Sequence, residues 1–430
     1  MKCEFHNQSG VRTSISQALV FLAVCACAST GGAQETRADV LAQEREAKAQ
    51  ATDTTSVAAE PGRLERTFSW AEAKLEGTSG TRDGFYPELG GMITGAGISV
   101  GPGYRHSLFG DRATVDASAS ASWRRYTMVQ SQIEWPRLFA DRLSVGARVK
   151  YQDFTQVNFF GIGAASSKTN RTDFRLKDVD VLGFATVQAN RWLSVGGRAG
   201  VLRNLDIARG TSSLYPSTGN VFDEASAPSL TRQPGYLHAD MSFDVDTRDV
   251  PGYPTSGGRY RVSVATFHDQ DYSQYSFRRV EADAAQYVPL LHKNWVLALR
   301  GRVALSQTGA GQEVPFYLLP ALGGPTTLRG FSDYRFRDRD FLLLNAEYRW
   351  PILRALDGAL FYEAGTVASS ATALSIEHRH TDYGAGVRVH STARTLVRLD
   401  VARSHEGSRV VFAFTAPFGV PNRAVVPYVP

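Results

Sequence analysis

The chain has 430 residues, of which 43% are hydrophobic, 11% are aromatic and 39 are glycine. Past the N-terminus no apolar run reaches the ~18 residues that a membrane-spanning helix needs, which excludes a helical membrane protein. The formal net charge is +5, from 47 basic and 42 acidic residues. So small an excess of interspersed charge gives no support for a nucleic-acid partner.

The N-terminus has the pattern of an export signal. Basic residues precede an apolar stretch at residues 15–28, and small residues come after it, so we predict a signal peptide over residues 1–33. All three cysteines lie in this segment, so the mature chain is expected to hold neither a disulfide nor a thiol nucleophile. Lipid attachment at Cys25 or Cys27 is the alternative, but the residues before each match a lipoprotein signal poorly.

Residues 34–66 differ in kind from the rest of the chain. They are rich in Ala, Glu, Gln and Thr and contain few large apolar residues. Such a composition cannot build a core, so we predict a flexible or short helical periplasmic tail.

From residue 67 to residue 418 apolar residues alternate with polar or glycine residues in runs of about ten. In one run Leu344 faces one way, whereas Asn345 and Glu347 face the other, because side chains at i and i+2 share a face only in an extended strand. A soluble sandwich also alternates. About sixteen such runs, many of them ending in aromatic residues, favour an all-β transmembrane antiparallel β-barrel. Residues 419–430 are then a C-terminal tail, with a plug as the alternative.

Four connections between the runs are expected to be long, near residues 155–172, 205–235, 307–338 and 367–380. Counting the runs does not place all of these connections at one end of the barrel, so either one strand is miscounted or one boundary is wrong. The sequence alone therefore does not assign which loops are extracellular.

Three places depart from a generic barrel. The first is a turn at residues 246–258, the second is a glycine-rich segment at residues 322–331, and the third is a pair of strands at residues 345–349 and 361–365. The turn carries Asp246, Arg248, Asp249, Pro254 and Gly257. The glycine-rich segment carries Arg329, Gly330 and Phe331, and the two strands carry Glu347 and Glu363.

Together these segments resemble the bacterial surface antigen family, which includes the barrels of BamA-like assembly factors and two-partner secretion transporters. The family's D-x-R-D…P-x-x-G turn, GG…(V/L)RG(F/Y) loop, N-x-E-x-R strand and F-x-(D/E)-x-G strand occur here in that order, within residues 85–418. The resemblance implies a sixteen-stranded barrel in the outer membrane of a Gram-negative bacterium. It also implies that the sixth loop folds into the lumen, where Arg329 meets Glu347 and Glu363.

Physical chemistry supports the same arrangement. An arginine deep in a lumen is costly unless carboxylates pair with it, and the alternation turns Glu347 and Glu363 inward. Gly330 would permit a tight turn, and Phe331 would wedge against the wall. We call Arg329, Gly330, Phe331, Glu347 and Glu363 the predicted lumen latch. Without the family resemblance, Arg329 would more readily be read as one further lumen or loop cation.

The function is less constrained than the fold. Family members that insert or secrete proteins carry periplasmic POTRA domains of roughly 75 residues, and residues 34–66 are too few for one, so we expect a short member without them. One hypothesis is a part in protein insertion or translocation across the outer membrane. The alternative is a passive channel or structural surface antigen with no protein client. Expected partners are outer-membrane lipid and lipopolysaccharide and, under the first hypothesis, client proteins or assembly machinery.

Enzymatic readings are weak. His238, Asp240 and Ser242 share one strand face, but neighbours at i+2 lie about 6–7 Å apart, too far for a direct relay. Residues 377–380 include two histidines without a further ligand nearby, whereas a metal site needs three or four. We therefore expect no enzyme activity, no metal and no cofactor.

Overall fold

The structure is a computed structural model, and it describes residues 83–89, 92–290, 295–353, 355–391, 394–414 and 418. The predicted signal peptide, the predicted tail at residues 34–66, the first part of the predicted barrel at residues 67–82 and the predicted C-terminal tail all lie outside the described residues.

The described residues form strands joined by turns and loops. In chain order the strands are β1 (Gly84–Leu89), β2 (Ser99–Leu108), β3 (Ala113–Ser122), β4 (Thr127–Leu138), β5 (Leu143–Phe159), β6 (Thr172–Gln188), β7 (Leu193–Arg209), β8 (Tyr236–Asp246), β9 (Gly257–Asp269), β10 (Phe277–Pro289), β11 (Val296–Thr308), β12 (Ala321–Leu322), β13 (Phe336–Arg337), β14 (Asp340–Leu353), β15 (Leu356–Ala368), β16 (His380–His390), β17 (Thr395–Ser404) and β18 (Gly407–Ala413). Short 3-10 helices occupy Lys168–Asn170, Thr218–Asn220, Phe316–Leu318, Ala371–Ala373 and Ile376–His378. Within the described part of the chain no helix is long and apolar enough to cross a membrane.

Sixteen of these strands form one antiparallel sheet, in which each strand pairs with the next along the chain. The pair β12–β13 lies apart, inside the connection between β11 and β14. The strand count and the antiparallel order confirm the all-β prediction.

The two faces of the sheet differ as a membrane barrel requires. Asn345, Glu347 and Arg349 on β14 are buried on the inner face, whereas the alternate residues Leu344 and Tyr348 are partly exposed. Large apolar residues on the outer face are between 42% and 69% exposed, namely Leu237, Met241, Phe243, Val262, Val264, Leu360, Tyr362, Tyr383, Leu399, Val401, Val410 and Phe412. A soluble sheet would bury this face, so its exposure confirms the predicted transmembrane barrel.

The sheet curls so that the loop after β5 reaches β16 and the β17–β18 turn. In the loop after β5, Lys168 Nζ donates a hydrogen bond to the carbonyl oxygen of Glu406 in the β17–β18 turn, at 2.7 Å. His380 Nε2 on β16 lies 3.0 Å from the carbonyl oxygen of Ala164. The first and last strands, β1 and β18, are the shortest of the sheet, and no ladder between their described residues joins them. We call this junction the seam.

All four long connections lie at one end of the barrel. They come after β5, β7, β11 and β15, which are the fifth, seventh, eleventh and thirteenth strands of the sheet. The strand order of the structure thus resolves the inconsistency in the sequence-based count, which did not place all four connections at one end. Aromatic residues in the turns, such as Phe109 and Phe139, resemble strand residues although both have positive φ, at 55° and 50°. From the sequence alone, such residues make it difficult to determine where a strand ends.

We call the two ends the long-loop end and the short-turn end. In outer-membrane barrels short turns face the periplasm and long loops face the outside. The sixth connection at the long-loop end spans residues 309–339, and we call it loop six.

Candidate functional site

Loop six enters the lumen and packs there as an ordered unit. Gly323 and Gly324 turn its backbone with φ values of +113° and +107°, and the amide of Gly324 donates to the carbonyl oxygen of Leu328 at 3.1 Å. Its apolar residues join inner-face residues of the wall in one buried cluster, which contains Ala304, Leu322, Leu328, Phe331, Phe336, Phe341, Leu343 and Val367. The loop is therefore anchored by apolar packing as well as by charge.

Arg329 lies at the centre of the site and is fully buried, at 0% exposure. Its Nε donates to Glu363 Oε1 and its Nη1 donates to Glu347 Oε2, each at 2.9 Å. The backbone amide of Arg329 donates to the other oxygen of Glu363 at 2.7 Å. The structure thus brings together the arginine and both glutamates of the predicted lumen latch.

A third carboxylate and two further arginines complete the cluster. Asp400 on β17 accepts from Arg329 Nη1 at 3.2 Å, and it also pairs with Arg388 and Arg398. Arg388 Nη2 donates to Glu347 at 2.8 Å. These three residues were not singled out in the sequence, although the alternation already turns Arg398 and Asp400 inward. We call Arg329, Arg388, Arg398, Glu347, Glu363 and Asp400 the latch cluster.

The F-x-E-x-G strand, β15, presents three inward residues to loop six. The Phe361 ring lies under the guanidinium of Arg329, with 3.5 Å between the Arg329 Cζ and the ring centroid. Glu363 binds the same guanidinium. At Gly365 an added Cβ would lie 2.8 Å from Leu322 Cδ1 and 3.5 Å from Leu328 Cδ1, so the missing side chain makes room for the loop. The motif spacing therefore matches contacts on one strand face.

The N-x-E-x-R strand, β14, connects loop six to the motif turn. Asn345 Nδ2 donates to the carbonyl oxygen of Thr327 in loop six at 3.0 Å. Glu347, two residues on, binds Arg329. Arg349, two residues further toward the short-turn end, donates through Nη2 to the carbonyl oxygen of Pro254 at 2.5 Å. The separate sequence motifs thus form one continuous contact network inside the barrel.

Gly330 and Phe331 come directly after the arginine. Gly330 has no positive φ, so its role differs from the tight turn expected from the sequence. An added Cβ would lie 2.6 Å from Asp382 Cβ, because the backbone approaches β16 closely there. Phe331 is fully buried, and its ring lies 5.2 Å from the rings of Phe336 and His405.

The motif turn between β8 and β9 is held by its own side chains. The guanidinium of Arg248 donates two hydrogen bonds to the Asp246 carboxylate, at 2.8 and 2.6 Å. Asp249 accepts from the amide of Thr255 at 2.9 Å and from its hydroxyl at 2.5 Å. Gly257 adopts a φ of +82°, and an added Cβ would lie 2.1 Å from the carbonyl oxygen of Thr247. The sequence residues at this turn are therefore structural supports of its shape.

The base of loop six lies beside the seam. Arg409 on β18 pairs with Asp333 at 3.4 Å. On the other side, an added Cβ at Gly95, in the β1–β2 connection, would lie 3.4 Å from Asp333 Cβ. Asn158 Nδ2 on β5 donates to the carbonyl oxygen of Asp333 at 3.2 Å. Loop six therefore contacts both sides of the seam.

The residues weighed for catalysis have other partners. His238 Nε2 lies 2.9 Å from Asp180 Oδ1, and Arg198 pairs with Asp240 at 2.8 Å. Where the chain is described, no group of three or more His, Cys, Asp or Glu residues is arranged to hold a metal. What the latch cluster provides is electrostatic, namely a buried set of opposite charges that fixes a loop in the lumen.

Comparison with known proteins agrees with this geometry. Residues 108–416 match the Omp85 superfamily domain. BamA from Haemophilus ducreyi lacking POTRA domains 1–3 aligns with a TM-score of 0.55 at 16% identity, over 77% of this chain and 69% of that chain. CdiB from Acinetobacter baumannii aligns with a TM-score of 0.45 at 11% identity, over 76% of this chain and 58% of that one. CdiB from Escherichia coli aligns with a TM-score of 0.48 at 9% identity, over 79% of this chain and 60% of that chain.

The chain thus spans less than two thirds of the length of either CdiB chain. The likeness to BamA, at 16% identity, concerns the fold alone. Since the domain match covers most of the sequence, this outer-membrane β-barrel belongs to the Omp85 superfamily.

Proposed function

We propose that the protein takes part in inserting proteins into the outer membrane or translocating them across it, and that release of loop six opens the path. The path is either the lumen or the seam. The observation that carries the proposal is the fully buried Arg329, which ties a long loop to β14, β15 and β17.

The latch cluster has the energetics of a releasable element. Removing one partner from a buried ion pair typically costs about 3–5 kcal/mol. Withdrawing loop six takes Arg329 away from three carboxylates. Glu347 and Asp400 then keep Arg388 and Arg398 as partners, whereas Glu363 loses its arginine. A binding partner shifts an equilibrium between two states by the difference in its affinity for them. A client that binds the open state more tightly by a few kcal/mol would therefore offset the cost of withdrawing the loop. A passive pore needs no such element.

The seam supports the second form of the path. Loop six contacts β18 through Asp333 and Arg409, and it approaches Gly95 on the other side. Movement of the loop would release both edges together. An edge strand presents backbone donors and acceptors that can pair with a further strand, and among the described residues β1 and β18 are the edges of this sheet.

A reversible lock tests the proposal. The Cβ atoms of a Gly95→Cys, Asp333→Cys pair would lie about as close as in a disulfide, since the Cβ separation built on the backbone is 3.4 Å. The mature chain is predicted to contain no other cysteine, because the three native ones lie at or before residue 27. The purified double variant is placed in liposomes, and an unfolded outer-membrane protein is added as the client. Folding of the client is monitored by its heat-modifiable migration.

We expect the wild type and both single-cysteine variants to accelerate client folding over empty liposomes. The oxidised double variant should lose that acceleration and regain it on reduction. If the oxidised double variant folds the client as fast as the reduced one, loop release is not required. If no form accelerates folding and the wild type shows a steady conductance in planar bilayers, the passive channel is the correct description.

A further inference from the structure

The turn between β8 and β9 differs from the other turns at the short-turn end. Three consecutive residues in it, Tyr253, Pro254 and Thr255, are buried, at 3% exposure for Tyr253 and 4% for Thr255. By contrast, the turns at residues 109–112 and 189–192 are exposed throughout. We call residues 247–256 the inner turn.

The inner turn is bound to strands far from its own. The Tyr253 ring stacks on the His390 ring at the end of β16, with centroids 4.0 Å apart and planes 11° apart. The amide of Thr395, at the start of β17, donates to the carbonyl oxygen of Gly252 at 3.0 Å. Arg349 on β14 donates to the carbonyl oxygen of Pro254. A backbone bridge also joins Gly252 to Arg394.

These contacts require the inner turn to cross the mouth of the barrel. Its own strands are the eighth and ninth of the sheet, and the β16–β17 connection comes after the fourteenth. Along the wall, six strand spacings of about 4.8 Å amount to roughly 29 Å. The partners on β14 and β16, Arg349 and His390, are buried on the inner face. The turn therefore lies across the short-turn end of the lumen, instead of extending away from it.

A second element occupies the same mouth. The alternation in the sequence places Phe418 on the outer face, but β18 ends at Ala413, and Phe418 is 6% exposed. It packs with inner-face residues of β10 and β11, namely Ala285, Tyr287, Val296 and Ala298. The guanidinium of Arg349 lies 5.2 Å from the Tyr253 ring centroid and 5.6 Å from that of Tyr287. Arg349 thus links the inner turn to the Phe418 cluster.

We propose that the inner turn, together with Phe418, is a second closure of the lumen, located at the short-turn end and separate from loop six. Its meaning for protein handling depends on the proposed function, but the closure itself does not. Glu347 and Arg349 stand two residues apart on β14, so one strand supports both closures. The stretch of lumen between them, which we call the compartment, would then be closed off from both ends.

Ala359 on β15 reports on that compartment. It is 1% exposed and pairs across the sheet with Arg349. On the same inner face, Asp357 lies on one side of it and bonds His390 at 3.2 Å, while Phe361 lies on the other side, under Arg329. A cysteine at position 359 would therefore sit between the two closures.

The test measures how fast Ala359→Cys reacts with a charged, membrane-impermeant maleimide in proteoliposomes of one orientation. The reagent is applied to either end. Leu214→Cys, in an 80% exposed loop position, gives the reference rate for a free thiol at the long-loop end. Tyr253→Ala and, separately, His390→Ala remove the two stacked rings. Tyr253→Phe keeps the ring, and Trp192→Ala alters an exposed turn at the same end. Heat-modifiable migration verifies that each variant folds.

We expect slow labelling from both ends in the Ala359→Cys protein. Tyr253→Ala or His390→Ala should raise the rate at least tenfold from the short-turn end alone, whereas Tyr253→Phe and Trp192→Ala should not. The proposal is wrong if Ala359→Cys already reacts rapidly from the short-turn end, or if neither ring removal changes the rate. The labelling experiment contains no client protein, so its result does not depend on the client-folding assay. The second closure can be confirmed while the proposed function fails, and the proposed function can be confirmed while the second closure fails.

Discussion

Breaking the pair between Arg329 and Glu363 is the sharpest perturbation of the latch cluster. When Arg329 is replaced by Ala, Glu347 keeps Arg388 at 2.8 Å, but Glu363 loses its guanidinium partner. Glu363 still accepts hydrogen bonds from the backbone amide of residue 329 at 2.7 Å and from the Asn345 side chain at 2.9 Å. These bonds reduce the cost, but they do not replace the positive charge of the arginine. We expect Arg329→Ala to lower the free energy of unfolding by about 3–5 kcal/mol.

The double-mutant cycle isolates the pair. Glu363→Gln keeps the shape of the side chain and removes its charge. Because both substitutions disrupt one network, the double variant should be less destabilised than the sum, by roughly 2 kcal/mol. The assay is urea unfolding in lipid vesicles, monitored by heat-modifiable migration. The matched control is Arg198→Ala, which removes a lumen arginine paired with Asp240 on the wall of β7 and β8. It should add to Glu363→Gln within about 0.5 kcal/mol. Simple additivity of Arg329→Ala and Glu363→Gln would refute the reasoning.

Three further predictions test the face assignment, the close approach of the loop and the export signal. Leu360→Arg, on the outer face, should destabilise the barrel by about 2–4 kcal/mol, whereas Leu214→Arg, in a loop, should stay within about 0.5 kcal/mol in the same unfolding assay; equal costs would contradict a lipid-facing position. Gly330→Ala should cost about 1–3 kcal/mol because its Cβ meets the wall, while Gly219→Ala, with nothing within 4 Å of its Cβ, should be tolerated. N-terminal sequencing of the membrane-extracted protein should begin near residue 34; an intact Met1 would show that no signal peptide is removed.

Alternation was sufficient to predict the architecture, because the side-chain period of two is a local property of the backbone. It turned Asn345, Glu347 and Arg349 inward and Leu344 outward, as the structure does. The motifs, through their family resemblance, pointed to Arg329, Glu347 and Glu363 as neighbours. No pairwise signal in a single sequence distinguishes Asp400 from other inward acids, so the rest of the latch cluster was not identified.

The remaining differences arise where the chain leaves the strands. Phe109 and Phe139 look like strand residues but lie in turns with positive φ, so the sequence pattern does not show where the neighbouring strands end. The alternation turns Asn345 inward, but it does not show that the Asn345 amide binds both loop six and Glu363. The position of the inner turn depends on contacts with residues about 95 or more positions away, such as Pro254 with Arg349, and local patterns carry no information about those contacts.

The most direct test of the account is the outer-membrane protein profile of cells depleted of this protein. Depleted cells should contain less of at least one other outer-membrane protein. Wild type, Gly95→Cys and Asp333→Cys should each restore it, whereas the double variant, oxidised in the periplasm, should not. An unchanged profile after depletion, or full restoration by the locked double variant, would contradict the claim that release of loop six serves the handling of other proteins.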